Sequence, residues 1–214
     1  MSAIVSSDGR LLAVSTIAVA LVCLWSYVDA ADRLTWWMEA LPVLIVYPLV
    51  WAVRRRFPLT PLLTLLIALH SVILLVGAHY TYAEVPLFHW IRDAFDLSRN
   101  HYDRVGHLAQ GFIPAIAIRE LLLRTSPLRP GRWLFAIIVF SVLGVSASYE
   151  LLEWLAAVLV GGDADAFLAT QGDIWDTQKD MALAGSGAIL AQLLLAGFHD
   201  RQLAALPKFQ APKY

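Results

Sequence analysis

Residues 133–160 read WLFAIIVFSVLGVSASYELLEWLAAVLV. As a helix this stretch is about 42 Å long at 1.5 Å per residue. A bilayer's hydrocarbon core, about 30 Å thick, needs only about 20 apolar residues to cross it. The run lacks the period-two alternation of a barrel strand and is too long to be one. It therefore reads as a transmembrane helix. Its unusual feature is a pair of carboxylates, Glu150 and Glu153, set among aliphatic residues.

Working outward, five more stretches have the same character: 11–29, 36–53, 59–79, 104–123 and 180–199. The composition agrees, with 59% hydrophobic residues, 15% charged residues and a mean hydropathy of +0.64. Soluble domains carry about 25% charged residues, so an ordinary globule, a disordered chain and a disulfide-rich secreted domain are excluded. The expected fold is an all-α, polytopic membrane helix bundle of about six transmembrane helices. It forms one domain over 1–205, followed by a polar tail, 206–214. The first apolar run reads as a retained span, because Arg10 is offset by Asp8 and gives a weak signal-peptide start. Cys23 is the single cysteine, so no intrachain disulfide or thiolate cluster is expected.

Arginine and lysine near the span ends set orientation. With the N-terminus inside, eleven lie inside, among them Arg54, Arg55, Arg56, Arg119, Arg124, Arg129 and Arg132. Five lie outside: Arg33, Arg92, Arg99, Arg104 and Lys179. Both termini are thus expected in the cytoplasm of a bacterial inner (plasma) membrane protein. The longest connections, 80–103 and 161–179, fall outside. The first is expected to hold a short interfacial helix with Phe88 and Trp90 at headgroup level. Gly161 and Gly162 would stop the fifth span, and the Trp36-Trp37 pair reads as an aromatic-belt anchor.

Ionisable residues inside spans mark functional sites by default, and here they form three groups. His101-Tyr102-Asp103-Arg104-Val105-Gly106-His107 opens span four, and Asp103 and His107, four apart, share a helix face. Glu150 and Glu153, three apart, share a face in span five and repel unless a cation or proton lies between them. Gln171-Gly172-Asp173-Ile174-Trp175-Asp176-Thr177-Gln178-Lys179-Asp180 enters span six with an acidic i, i+3, i+7 stripe. All three groups share one end of the bundle. Capping and helix-dipole roles account for some of these carboxylates, but less easily for all of them together. His70 reads as a bundle-facing hydrogen-bonder, Arg119-Glu120 as a local salt bridge with Arg124 or Arg132, and Gly185 and Gly187 as sites of close helix approach.

The blocks at 101–112, Arg119-Glu120, Tyr149-Glu150, Glu153-Trp154 and 171–181 resemble the YjdF-like bacterial inner-membrane proteins, a family of unknown function. The resemblance covers most of the chain and implies a polytopic inner-membrane protein without naming an activity. A looser pattern is similar to VanZ-like membrane proteins. Asp103, Arg104 and His107 stand in its first element, Glu150 or Glu153 in its second, and Asp173, Asp176 and Asp180 in its third. Arg replaces the pattern's Lys, and Asp180 its Asn. That similarity implies envelope chemistry near the outer leaflet.

Three functional expectations follow. In the first, a divalent cation (Mg²⁺, Mn²⁺, Ca²⁺ or Zn²⁺) is held by Glu150, Glu153, Asp173, Asp176, Asp180 and His107, since oxygen donors and one imidazole suit these ions. His107 would ligate it or act as general base, Asp103 would orient His107, and Arg104 would grip a phosphate on a lipid or lipid-linked headgroup. In the second, the carboxylates relay protons or cations in a small carrier, which at this size would form a homodimer. In the third, the polar network is structural and the protein binds lipids or a partner. Membrane lipids are the expected partners, and nucleic acid is not.

Overall fold

The computed structural model describes residues 2–160 and 171–206. The Gly161-Gly162 stop and all but the first residue of the 206–214 tail lie outside them. Seven α-helices are described: α1 (Ser2–Tyr27), α2 (Arg33–Val53), α3 (Pro61–Tyr80), α4 (Pro86–Ala94), α5 (Tyr102–Thr125), α6 (Arg132–Val160) and α7 (Asp176–Ala205). A 3₁₀ turn, Tyr82–Glu84, precedes α4. No strand occurs among the described residues.

Local chemistry sets several boundaries. The Asp32 carboxylate accepts the Thr35 amide (2.7 Å) and caps α2. Thr60 caps α3 by accepting the Leu63 amide (3.2 Å), with Pro61 at the first helical position, where its missing N–H is not needed. Thr81 ends α3 in the left-handed region at φ 57°, returning its amide to the Gly77 carbonyl.

Five helices are long and apolar enough to span a membrane: Gly9–Tyr27 within α1, then α2, α3, Arg132–Leu159 within α6, and α7. The sixth expected span, α5, is about 36 Å long but carries Asp103, Arg104, Arg119, Glu120 and Arg124. Its position explains the polarity. Helix α5 packs on α3, α6 and, most extensively, α7, so its charges face protein rather than lipid.

The core has two large clusters and a smaller one of Tyr82, Val85 and Tyr102. Leu63, Ile116, Leu134, Ile138, Ala184 and Ala188 join α3, α5, α6 and α7. Val19, Trp36, Ala40, Val43, Leu75 and Ala78 join α1, α2 and α3. Trp36 belongs to this second cluster and donates to Ser26 (2.9 Å), which donates to the Leu75 carbonyl (2.6 Å). The Trp36-Trp37 pair is therefore divided, with Trp36 buried and Trp37 exposed. The expected interfacial helix is α4. Trp90 is exposed on it, while Phe88 turns inward onto Tyr102 (centroids 5.2 Å apart).

Helices α5 and α7 cross at small residues. A Cβ on Gly111 would overlap the Ala184 backbone, and one on Gly187 the backbone of Leu108 and Phe112. Gly185 differs, since a Cβ there meets only the Leu143 side chain, at 3.1 Å. Gly187→Ala is expected to lower stability by about 1–3 kcal/mol through overpacking. Gly144→Ala, into open space on α6, should leave stability unchanged or raise it by about 0.5–1 kcal/mol. Thermal unfolding in mild detergent checks both.

Candidate functional site

The first turns of α5 and α7 lie side by side, which brings the first and third sequence groups together. Arg104 on α5 contacts Asp180 and Asp176 and reaches Asp173 at 3.1 Å. Arg99, in the loop before α5, pairs with Asp176 (2.6 Å) and lies 3.6 Å from Asp103 and 3.8 Å from Asp173. The expected acidic stripe is shortened, because the helix begins at Asp176: Asp176 and Asp180 share it, Asp173 lies in the loop before it, and arginines hold the outer carboxylates. Asp173 precedes α7 and is held below the usual carboxylate range by the Lys179 ammonium and the Trp175 amide. Behind this lattice, Asn100 and Gln171 exchange amide hydrogen bonds (3.0 Å each) and lock the two loops together. Gly172 completes the turn at φ 81°, a conformation that favours glycine.

One layer deeper, Asp103, His107 and Asp180 converge. One ligand atom from each lies within 4.8 Å of the others, and all three residues are buried. His107 Nε2 is 3.4 Å from Asp103 Oδ1 and 3.9 Å from Asp180 Oδ2. The second oxygen of each carboxylate faces an arginine, Arg99 for Asp103 and Arg104 for Asp180. On the other side of the ring, His107 Nδ1 is 3.1 Å from Gln110 Oε1 and 3.8 Å from Glu150 Oε1. That Glu150 oxygen is buried and has no hydrogen-bond partner among the described residues.

The two glutamates of α6 part company. Glu150 approaches His107, whereas Glu153 turns into a cavity of about 360 Å³. Asp103, His107 and Gln110 from α5 also line it, together with Tyr149, Glu39 and Tyr82. Tyr149 donates to Glu39 Oε2 (3.1 Å), linking α6 to α2. His70 faces the same cavity from α3, and its Nε2 is buried without a partner among the described residues.

Asp103, His107, Glu150 and Asp180 therefore form one centre, and Glu153 lies in the adjoining cavity. Asp173, Asp176 and Arg104 form an ion-pair lattice above, with Arg104 turned to carboxylates rather than to the cavity. Three contributors escaped the sequence reading: Glu39, Tyr82 and Arg99. Glu39 carried a usable signal, as a lone carboxylate in the apolar run Met38-Glu39-Ala40-Leu41. Arg99 and Tyr82 sit in a connection whose packing no periodicity reveals.

The opposite end of α5 is closed by a second polar cluster. Glu120 is fully buried and accepts from Thr60 Oγ1 (2.7 Å), the Thr60 amide (3.2 Å), Arg124 (2.8 Å) and His199 Nε2 (3.0 Å). Arg119 donates to His199 Nδ1 (3.1 Å) and Asp200 (2.7 Å). Because arginine only donates, Nδ1 accepts and Nε2 carries the proton given to Glu120. Glu120 is thus paired with Arg124, as the sequence implied. Arg119 pairs instead with Asp200.

Arg104 tests the lattice. Truncating one side of a buried pair strands the other's charge, at a cost of about 3–5 kcal/mol. Arg104→Ala should lose that much. Arg104→Lys should recover little of it, since a single ammonium cannot span three carboxylates as the planar guanidinium does. Unfolding in detergent, read by tryptophan fluorescence, measures both.

The chain is 49% identical over 194 residues to the inner membrane protein YjdF of Escherichia coli (strain K12), covering 90% of this chain and 92% of that protein. No solved structure matches, and the VanZ-like pattern stays a likeness of spacing. The model of the family described as "Predicted membrane protein (DUF2238)" matches residues 11–201. With its helices long enough to cross a bilayer and this similarity over nearly its whole length, the chain belongs to that family and is a multi-pass inner-membrane protein.

Proposed function

We propose that the protein holds a divalent cation at Asp103, His107 and Asp180, at the mouth of the cavity, and uses it on the headgroup of a lipid or lipid-linked envelope precursor. The balance of arginine and lysine at the span ends puts this mouth at the outer leaflet, with both termini in the cytoplasm.

The observation that carries the reading is the environment of His107. Gln110 Oε1 accepts at Nδ1, so Nδ1 carries a proton and Nε2 is directed at two carboxylates. A lone pair facing two anions is unfavourable, so a cation belongs between them, either a metal ion or a second proton on the ring. The Gln110 carbonyl on Nδ1 suits the metal case, because a ligating histidine commonly donates its other N–H to a carboxylate or carbonyl, which fixes the ring. Two carboxylate oxygens and one imidazole leave room for water or substrate in a fourth position. Zn²⁺ and Mn²⁺ fit this set better than Ca²⁺ or Mg²⁺, which favour oxygen alone. Such an ion would polarise a phosphoryl or carbonyl oxygen and acidify its bound water, the requirements of hydrolysis or group transfer. In this reading Arg99, Arg104, Asp173 and Asp176 hold the frame.

Elemental mass spectrometry on protein purified in mild detergent tests this directly. The expected result is about one transition-metal ion per chain, falling below about a tenth in His107→Ala and in Asp180→Asn. Glu153→Gln should retain it. If no ion binds even after Zn²⁺ or Mn²⁺ is added to folded wild type, the cation is the second proton. The centre is then an imidazolium clasp in a non-catalytic bundle or a small carrier.

A further inference from the structure

The cavity has features that the cation centre does not use. Its back is formed by α3 and α5, which pack on each other, and its sides by α2 and α6. Helix α2 leans on α3, and α6 leans on α5 and α7, so the two sides barely meet. The Tyr149–Glu39 hydrogen bond bridges them at the mouth. Below it α2 and α6, both long and apolar enough to span a membrane, line the cavity without packing extensively on each other. Along α5 it runs from Asp103 to Ala117, about 21 Å at 1.5 Å per residue. One leaflet of a 30 Å hydrocarbon core is about 15 Å deep. The deeper walls are mainly aliphatic, including Val46, Ile67, Ile113 and Val145. At about 360 Å³ the slot is at the small end of ligand sites, sized for one chain rather than two.

The polar end is rich in carboxyl groups. Glu39, Glu153 and Asp103 all face the slot. Tyr149 and Tyr82 supply Glu39 with hydroxyl donors, while among the described residues no hydrogen-bond donor reaches the Glu153 carboxylate. Buried carboxylates require donors or positive charge. Tyr82 and Tyr149 add aromatic rings beside them, a surround that attracts cations. An anionic head placed between Glu39 and Glu153 would be repelled. His70 Nε2, buried and unpartnered further down, is a second polar atom waiting on the same cavity.

We propose that the slot binds one aliphatic chain bearing a primary ammonium head, with the chain along α5 and the ammonium between Glu39 and Glu153. The ligand enters sideways between α2 and α6. Its source is either an amine-headed phospholipid contributing one of its chains or a free long-chain amine. This inference rests on the lipid-facing part of the reading above and not on the metal ion.

The test uses the full chain in nanodiscs of phosphatidylcholine, which has no primary amine. Hexadecylamine carrying a photoreactive diazirine in its chain is compared with the matching hexadecyl sulfate, and labelled peptides are mapped by mass spectrometry. The amine should label slot-lining segments of α2, α3 or α5 at least about tenfold more than the sulfate, and unlabelled hexadecylamine should compete. The double variant Glu39→Gln, Glu153→Gln should lose that preference. Val46→Trp, which fills the aliphatic wall without touching a carboxylate, should lose labelling by both probes. Native mass spectrometry of protein taken directly from membranes separates the sources: a retained amine-headed phospholipid identifies the lipid, and its absence beside strong competition identifies the free amine. Equal labelling by the two head groups, or a preference that survives in a folded double variant, overturns the inference. Metal content is measured on the same preparations. Bound metal without amine preference removes this inference alone, and amine preference without metal removes the cation centre alone.

Discussion

Arg104 stands at the junction on which the site depends. A single guanidinium from the first turn of α5 faces three carboxylates from the start of α7 and the loop before it. In a low-dielectric surround, neither the arginine nor the acidic stripe is tolerable alone. Together they fix how α7 is rotated and how far it has slid along α5. The glycine crossing lower down sets the distance between the same two helices. With rotation, register and spacing fixed, the remaining oxygens of Asp103 and Asp180 have little choice but to face His107.

The two ends of α5 solve related problems differently. At one end the polar groups are arranged around a cavity, and some of their atoms lack partners among the described residues. At the other, Glu120 accepts four donors and His199 is bound on both ring nitrogens. A network this densely bonded makes a rigid plug, although Arg124 Nη2 is buried without a hydrogen-bond partner among the described residues. The cavity is the difference that matters: Asp103 and His107 line open space, whereas Glu120 is fully buried among its donors, so chemistry is sought at the first end and structural support at the second.

Much of this was legible in the sequence, and the boundary of legibility has physical causes. Helix existence follows from apolar length. The grouping of Asp103, His107, Glu150 and Asp180 follows from helical spacing combined with the alternation of spans. Sequence spacing placed Glu150 and Glu153 on one face, and that much holds. It could not show that a face about two residues wide meets His107 at one position and the α2 glutamate's cavity at the other. That outcome depends on how α6 is rotated, which its neighbours determine. Nor could spacing divide the acidic stripe into the part held by arginines and the part left for His107, because Arg99 arrives from a loop. Trp36 shows the same limit. Its indole looks like an interfacial anchor until Ser26 is found opposite it.

Helix α5 also has a consequence for how the protein is made. Its buried Asp103, Arg119 and Glu120 and its partly buried Arg104 would each oppose its entry into lipid as an isolated segment. Asp103 and Glu120 find partners in α5 or before it, in Arg99 and Arg124, but those of Arg104 and Arg119 lie largely on α7, which leaves the ribosome later: Asp176 and Asp180 at one end, His199 and Asp200 at the other. The nascent chain therefore passes through a stage at which its central helix has been synthesised but two of its arginines lack most of their acidic partners, so a chain truncated before α7 is a helix with unneutralised charge and not a smaller bundle.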